Sequence, residues 1–95
     1  MVNSARGDVA LEIDGARHTL SLTLNALAEI ETALQVDDLA ALGEALRRLG
    51  ARELTVILSA LLRAGGAEQP DALAARADPV AALGAVGACF KANLA

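Results

Sequence analysis

The sequence predicts an α+β fold in which an N-terminal β-hairpin packs on a small bundle of about four helices. Three observations indicate this fold. Two short runs of alternating apolar and polar residues flank Asp14-Gly15, leucine stripes at helical spacing fill most of the remaining chain, and glycines or Asp-Pro separate these stripes. The length of 95 residues is typical of one domain. We therefore expect a single domain over residues 8–95, preceded by a flexible arm over residues 1–7.

The hairpin is expected over residues 8–22, with its turn at Asp14-Gly15. Glycine accepts the positive φ that tight hairpin turns require. A two-residue loop pairs Ile13 with Ala16, whereas a four-residue loop pairs Ile13 with His18, and the sequence leaves both open. A three-residue loop is disfavoured, because it would put the apolar side chains of one strand on the wrong face. The side chains that both favoured loops bring to one face are Val9, Leu11, Ile13, His18, Leu20 and Leu22.

Four helices are predicted, at about residues 24–35, 38–49, 52–64 and 79–93. The first begins where the hairpin ends, with Thr23 or Asn25 as its N-cap. A lone hairpin is marginal in water, so we expect this helix to fold back and cover the apolar face of the hairpin. For the second helix, Asp37 is the predicted N-cap and Gly50 the predicted C-cap.

The third predicted helix carries the densest apolar stripe and is expected to be the most buried; the stripe consists of Leu54, Ile57, Leu58, Leu61 and Leu62. Gly65-Gly66 ends it. Residues 71–76 are expected to form a short helical turn. Asp78-Pro79 then predicts the start of the last helix, because aspartate is a good N-cap and proline fits the first helical position.

Composition and charge exclude several classes of protein. The formal net charge is −4, and the 8 basic residues are scattered, so no basic face for nucleic acid is predicted. No uninterrupted apolar run reaches the length of about 18 residues needed to span a membrane. The N-terminal residues also lack the apolar segment of a signal peptide. We expect a soluble cytoplasmic protein that binds neither nucleic acid nor membrane.

The residues that could carry chemistry are few. His18 and Cys89 are the sole histidine and cysteine, so no zinc site is predicted, and Cys89 is expected to act as a small hydrophobe. Gly65-Gly66 lacks the residues of a phosphate-binding loop. The carboxylates have capping or surface explanations, and no pair of them suggests acid–base catalysis. We therefore expect no enzyme, no catalytic residue, no metal and no cofactor.

The last predicted helix is the candidate surface for a protein partner. It is rich in alanine and glycine, so a neighbouring backbone could approach it closely, and it carries Phe90, the one aromatic residue of the chain. The residues expected to bind a partner are Leu83, Val86, Phe90 and Leu94. The alternative is that these side chains pack inside the domain. A homo-oligomer is a further alternative that the sequence leaves open.

A family resemblance adds to this interpretation. The matching residues are Arg6-Gly7-Asp8, Val9-Ala10-Leu11, Asp14-Gly15, Thr19-Leu20 through Leu24, Ala26-Leu27-Ala28, Glu31 and Asp38-Leu39, and the later segment ARELTVILSALLRAGG. In these residues the chain resembles a small family encoded in the tail-gene region of gene transfer agents and related tailed phages of alphaproteobacteria. The resemblance covers roughly residues 6–66, and the last thirty residues are similar only loosely.

The resemblance implies a role in building a phage-like tail. Members of the family are described either as tail assembly chaperones or as tail-tube-associated proteins. A chaperone of this kind would bind the tape-measure protein while the tail tube polymerises, and would have no catalytic residues. The alternatives are a structural component of the tail and an unrelated helical adaptor. A tube subunit would need a larger β-structure able to form rings, so the helical character of the chain favours the chaperone.

Overall fold

The computed structural model describes residues 7–94 and has the predicted α+β fold. This part of the chain forms one two-stranded antiparallel sheet followed by five helices. The elements are β1 (Val9–Ile13), β2 (Ala16–Leu20), α1 (Leu24–Leu34), α2 (Leu39–Leu46), α3 (Ala51–Ala64), α4 (Pro70–Arg76) and α5 (Pro79–Leu94). The predicted arm over residues 1–7 lies outside the described residues except for Gly7.

The hairpin turn is the two-residue loop at Asp14-Gly15. Ile13 pairs with Ala16, and the register runs on to Val9 opposite Leu20. Asp14 and Gly15 have φ angles of 54° and 81°, and positive φ at both central residues is the mark of a type I′ turn. The twist of this turn matches the twist of the strands it joins, which explains why the shorter of the two predicted loops forms.

The apolar face of the hairpin is covered by α3 and α5. Leu11, Ile13 and Leu20 are buried there, with α3 against β2 and α5 against both strands. The expectation that α1 covers the hairpin is wrong, because α1 packs on α3 instead. Its first residue, Leu24, is 85% exposed.

Helix α3, which lies against β2 instead, has more buried residues than any other helix described here. Every residue from Ile57 to Leu62 is buried, as predicted for the most apolar helix. The backbone N–H of Ser21, just after β2, donates a hydrogen bond to the carbonyl oxygen of Leu61 at 3.2 Å. This bond holds the chain leaving the hairpin against the C-terminal turn of α3.

Gly65 allows β2 to lie this close to α3. A Cβ atom at Gly65 would lie only 2.7 Å from the carbonyl carbon of Thr19 and would overlap the carbonyl oxygen. The obstructing atoms belong to the backbone of β2, so no side-chain rotation could relieve the overlap. The glycine at the end of α3 is therefore required by packing, since its φ of −82° is open to any residue.

Helix starts follow the capping rules, with corrections around α2. Asp38, and not Asp37, caps α2 by accepting a hydrogen bond from the N–H of Ala41 at 2.7 Å. The helix ends at Leu46, and Gly50 is the N-cap of α3 rather than the C-cap of α2. The physical reason is that Glu53 folds back to accept a hydrogen bond from the N–H of Gly50 at 3.1 Å.

The predicted caps of α1 and α5 are found. Thr23 accepts a hydrogen bond from the N–H of Ala26 at 3.1 Å, and Asp78 accepts one from the N–H of Ala81 at 2.9 Å. The short helical turn expected at residues 71–76 is α4, which packs on α3. An exposed ion pair between Arg76 and Asp14, 2.6 Å from Nε to Oδ2, joins α4 to the hairpin turn.

Polar side chains also connect α1, α3 and α4. Arg63 Nη1 lies 2.7 Å from Glu29 Oε2, and its Nη2 lies 3.3 Å from Asp71 Oδ1. The same oxygen of Asp71 accepts a hydrogen bond from the hydroxyl of Ser59, the one buried polar residue among the described ones. Ser59 is thereby satisfied, so the inner face of α3 can be buried without an unpaired polar group.

Candidate partner-binding groove

An apolar cleft lies between α2 and α5, and we call it the α2–α5 groove. Its volume is about 870 Å³. It is lined by Leu39, Leu42, Gly43 and Leu46, with Arg47 just after α2, and by Phe90, Lys91 and Leu94 of α5. Every lining residue apart from Arg47 and Lys91 is apolar or a glycine.

Two buried side chains form the floor of the groove and two exposed ones form its edges. Leu42 and Phe90 are buried against the core, so they fix the floor in place. Leu39 and Leu94 are 54% and 45% exposed, so about half of the surface of each meets water. A docking side chain would remove this surface from water and would be stabilised by roughly 25 cal/mol for each Å² buried.

The groove stays open because of the sequence of α2. The helix has eight residues and packs mainly on α1. Gly43 contributes no side chain, and a Cβ atom built there would meet nothing within 4 Å. The α2 wall therefore leaves a space that a larger residue at position 43 would narrow.

The charged residues at the groove are both basic. Lys91 lies one turn of helix before Leu94, and Arg47 follows the last turn of α2. Both side chains are exposed, and Arg47 Nη1 also lies 3.2 Å from Glu44 Oε1. A chain with a net charge of −4 thus presents two cations beside this apolar groove.

The structure separates the four residues predicted to bind a partner. Phe90 and Leu94 line the groove, Val86 is buried at 2% exposure, and Leu83 is exposed without lining the groove. The buried face of α5 runs along Ala82, Val86, Cys89 and Phe90. Leu83 and Leu94 therefore lie at its edges, and Val86 lies within it, where it offers almost no surface to a partner. Partner binding by these four residues stays a prediction.

Sequence reasoning missed the α2 wall of the groove and its two cations. The spacing of Leu39, Leu42, Leu46 and Leu49 predicts an apolar stripe on the second helix, but of these four only Leu42 is buried. Gly43 within that stripe was the available signal. A short helix interrupted by glycine is poorly suited to a closed contact with its neighbours.

The one cysteine behaves as a buried apolar side chain. Cys89 Sγ lies 3.9 Å from the carbonyl oxygen of Leu20, facing β2. Burial, with a smaller contribution from the negative charge of Asp8, raises the pKa of the Cys89 thiol to about 11. The thiol is therefore neutral at physiological pH and a poor nucleophile. His18 is half-buried opposite Leu11 in the hairpin.

Two further properties of residues 7–94 bear on function. Their histidine, cysteine, aspartate and glutamate side chains nowhere gather in a group of three or more that could hold a metal ion. None of the helices in this part of the chain is both long and apolar enough to cross a bilayer.

Comparison with known protein families identifies the kind of protein. The model of a family described as phage tail tube protein, GTA-gp10, matches residues 6–94. The chain belongs to this family. The match includes the last thirty residues, where the resemblance seen in the sequence was loose. No curated protein and no solved structure matches the chain.

Family membership confirms the broader part of the resemblance. The protein is related to the tails of phages and gene transfer agents. Its family description names the tail tube, which agrees with a structural role at least as well as with a chaperone role.

Proposed function

We propose that the protein is a non-catalytic tail assembly chaperone that binds a helix of the tape-measure protein in the α2–α5 groove. The observation that carries this proposal is the groove itself, an open apolar surface next to a complete core. It has the form used by proteins that bind an amphipathic helix through its apolar face. Binding would take place in the cytoplasm of the producing cell, before the tail is complete.

The dimensions of the groove fit a short helical segment. The eight residues of α2 span about 12 Å at 1.5 Å per residue, which is roughly two turns of a facing helix. Two turns present about three anchor side chains, spaced at i, i+3 or i+4, and i+7. The exposed edges at Leu39 and Leu94 supply most of the apolar surface for such anchors, above the buried floor of Leu42 and Phe90.

The strand content supports a chaperone over a tube subunit. In the described residues, β-structure is confined to two strands of five residues each. Subunits that form a ring through β-structure need sheets large enough to continue from one copy to the next. The second candidate function, a structural component of the tail, is favoured by the description of the family as a tail tube protein.

Co-expression with the tape-measure protein of the same gene cluster tests the proposal. We expect the two proteins to co-purify, and we expect Leu39→Ser with Leu94→Ser to abolish the complex while the domain stays folded. The control is Leu24→Ser with Val80→Ser, which removes a leucine and a valine at two positions that lie outside the groove and are more exposed than Leu39 and Leu94. Equal loss of binding in both double variants would exclude the groove as the binding site.

Analysis of finished particles separates the two candidate functions. A chaperone is expected to be absent from purified mature tails. Detection of the protein there in a fixed ratio to the tube subunit would reject the chaperone and support the structural component.

A further inference from the structure

We infer that the α2–α5 groove selects a helix whose apolar stripe is flanked by carboxylates. This inference rests on the proposed function and specifies the chemistry of the bound segment. The carrying observation is that Arg47 and Lys91 are the only charged residues lining the groove, and both are basic. The segment expected to bind is therefore an acidic amphipathic helix of another tail protein.

The two cations lie on opposite walls of the groove, where they can contact both flanks of a bound helix. Arg47 follows the α2 wall, Lys91 lies on the α5 wall, and the apolar floor runs between them. A helix docked on that floor brings its flanking residues next to both walls. Carboxylates at those flanks would pair with Arg47 and Lys91, whereas lysines would be repelled.

The intramolecular partner of Arg47 does not prevent this role. Arg47 and Glu44 are three residues apart, and both side chains of this ion pair are mostly exposed to solvent. Such pairs contribute little to stability and exchange readily with water or another carboxylate. Lys91 has no ion pair among the described residues. Both cations are thus available to a ligand.

A second copy of the chain fits the groove poorly. In a two-fold symmetric dimer the same patch meets itself, so the Arg47 and Lys91 side chains of the two copies would face one another. Like charges brought together in this way oppose association. The charge of the groove therefore favours a different chain as the occupant.

Two synthetic peptides of about 18 residues test the inference; this length is needed because shorter isolated helices are marginal in water. Both carry leucine at i, i+4, i+7 and i+11. The acidic peptide has glutamate on both sides of this stripe, and the basic peptide has lysine at the same positions. Binding to the full chain is measured by fluorescence anisotropy at low and high salt. We expect the acidic peptide to bind about tenfold more tightly at low salt, and salt to reduce the difference.

Charge reversal locates the contact. Arg47→Glu with Lys91→Glu is expected to abolish or invert the preference between the peptides. The control is Arg17→Glu with Arg52→Glu, which produces the same net charge at exposed positions outside the groove and is expected to retain the preference. Arg47→Gln with Lys91→Gln provides a milder pair should the reversal variant fold poorly, and it is expected to remove the preference. Circular dichroism checks folding of each variant.

The remaining outcomes overturn the inference without deciding the proposed function. Equal binding of both peptides, tighter binding of the basic one, or no binding of either would reject selection by carboxylates. Retention of the preference in the reversal variant would do the same. Sedimentation showing that the wild-type chain dimerises through these residues would also reject it. Co-purification with the tape-measure protein, and its loss in the Leu39 and Leu94 variant, is an independent result that could still support the chaperone.

Discussion

Replacement of Gly65 by alanine tests the closest approach between the hairpin and the helices. The added Cβ atom would overlap the backbone of Thr19 in β2, and strand and helix would have to separate. Overpacking of a core typically costs 1–3 kcal/mol, and a backbone obstacle places this substitution at the upper end, about 3 kcal/mol. For a domain of this size, that loss corresponds to a fall in Tm of about 12–24 °C.

The matched control is Gly84→Ala in α5. Gly84 is exposed in the interior of a helix, and a Cβ atom there meets nothing within 4 Å. Because alanine is the better helix former, we expect Gly84→Ala to stabilise the protein by about 0.5–1 kcal/mol. Thermal and urea melts followed by circular dichroism measure both variants. If Gly65→Ala raises Tm as Gly84→Ala does, β2 does not pack on the end of α3 as described.

Three further predictions follow from burial and charge. Leu58→Asp and Val86→Asp each put a carboxylate into the core, so each substitution is expected to lower the free energy of unfolding by more than about 4 kcal/mol and to unfold the domain. A Val86→Asp protein that melts like wild type would show that this face of α5 is open to solvent. Cys89 is expected to react with thiol reagents at pH 8 only after denaturation. A Cys89 thiol that reacts as fast in the native protein as in the denatured one would contradict its burial. Folding raises the pKa of this thiol from 9.0 to about 11, so the contribution of Cys89 to the free energy of unfolding is constant below pH 9 and is lost as the pH rises from 9 to 11. A double-mutant cycle on Asp14 and Arg76 is expected to give a coupling energy of about 0.2–1 kcal/mol, because both side chains are more than half exposed, and a coupling above about 2 kcal/mol would be inconsistent with that exposure.

The parts of the fold that depend on neighbouring residues could be predicted from the sequence. The Asp14-Gly15 turn needs only two residues that accept positive φ, and the alternating strands on either side then follow. Thr23 and Asp78 begin helices through hydrogen bonds to residues three positions further on. Such contacts are present in the sequence as short patterns, so they could be identified before any coordinates.

The contacts between distant elements could not be predicted in the same way. The hairpin is covered by α3 and α5 rather than by α1, and the close approach of β2 to the end of α3 requires the absence of a side chain at Gly65. Gly50 was a reasonable end for α2, but Glu53 makes it the start of α3. In both cases the local sequence is compatible with two arrangements, and packing between elements selects one of them.

The candidate site was predicted in part for the same reason. Phe90 and Leu94 were identified from α5 alone and do line the groove. Its opposite wall comes from α2, and the pairing of two helices more than thirty residues apart leaves no periodic signal in the sequence. Val86 was grouped with Leu83, Phe90 and Leu94 because helical spacing places all four on one face of α5. Helical spacing does not distinguish the buried centre of such a face from its exposed edge.

The position of α5 against β1 has a consequence for how the chain acquires its structure. The hairpin is made early in translation, whereas the helix that covers β1 is the last of the described elements to leave the ribosome. Until then, part of the apolar face formed by Leu11 and Ile13 has no cover, and a two-stranded ribbon alone is only marginally stable. The native hairpin should therefore become stable only after α5 has left the ribosome, and nascent chains that stop before α5 should be preferred substrates for general folding factors and proteases.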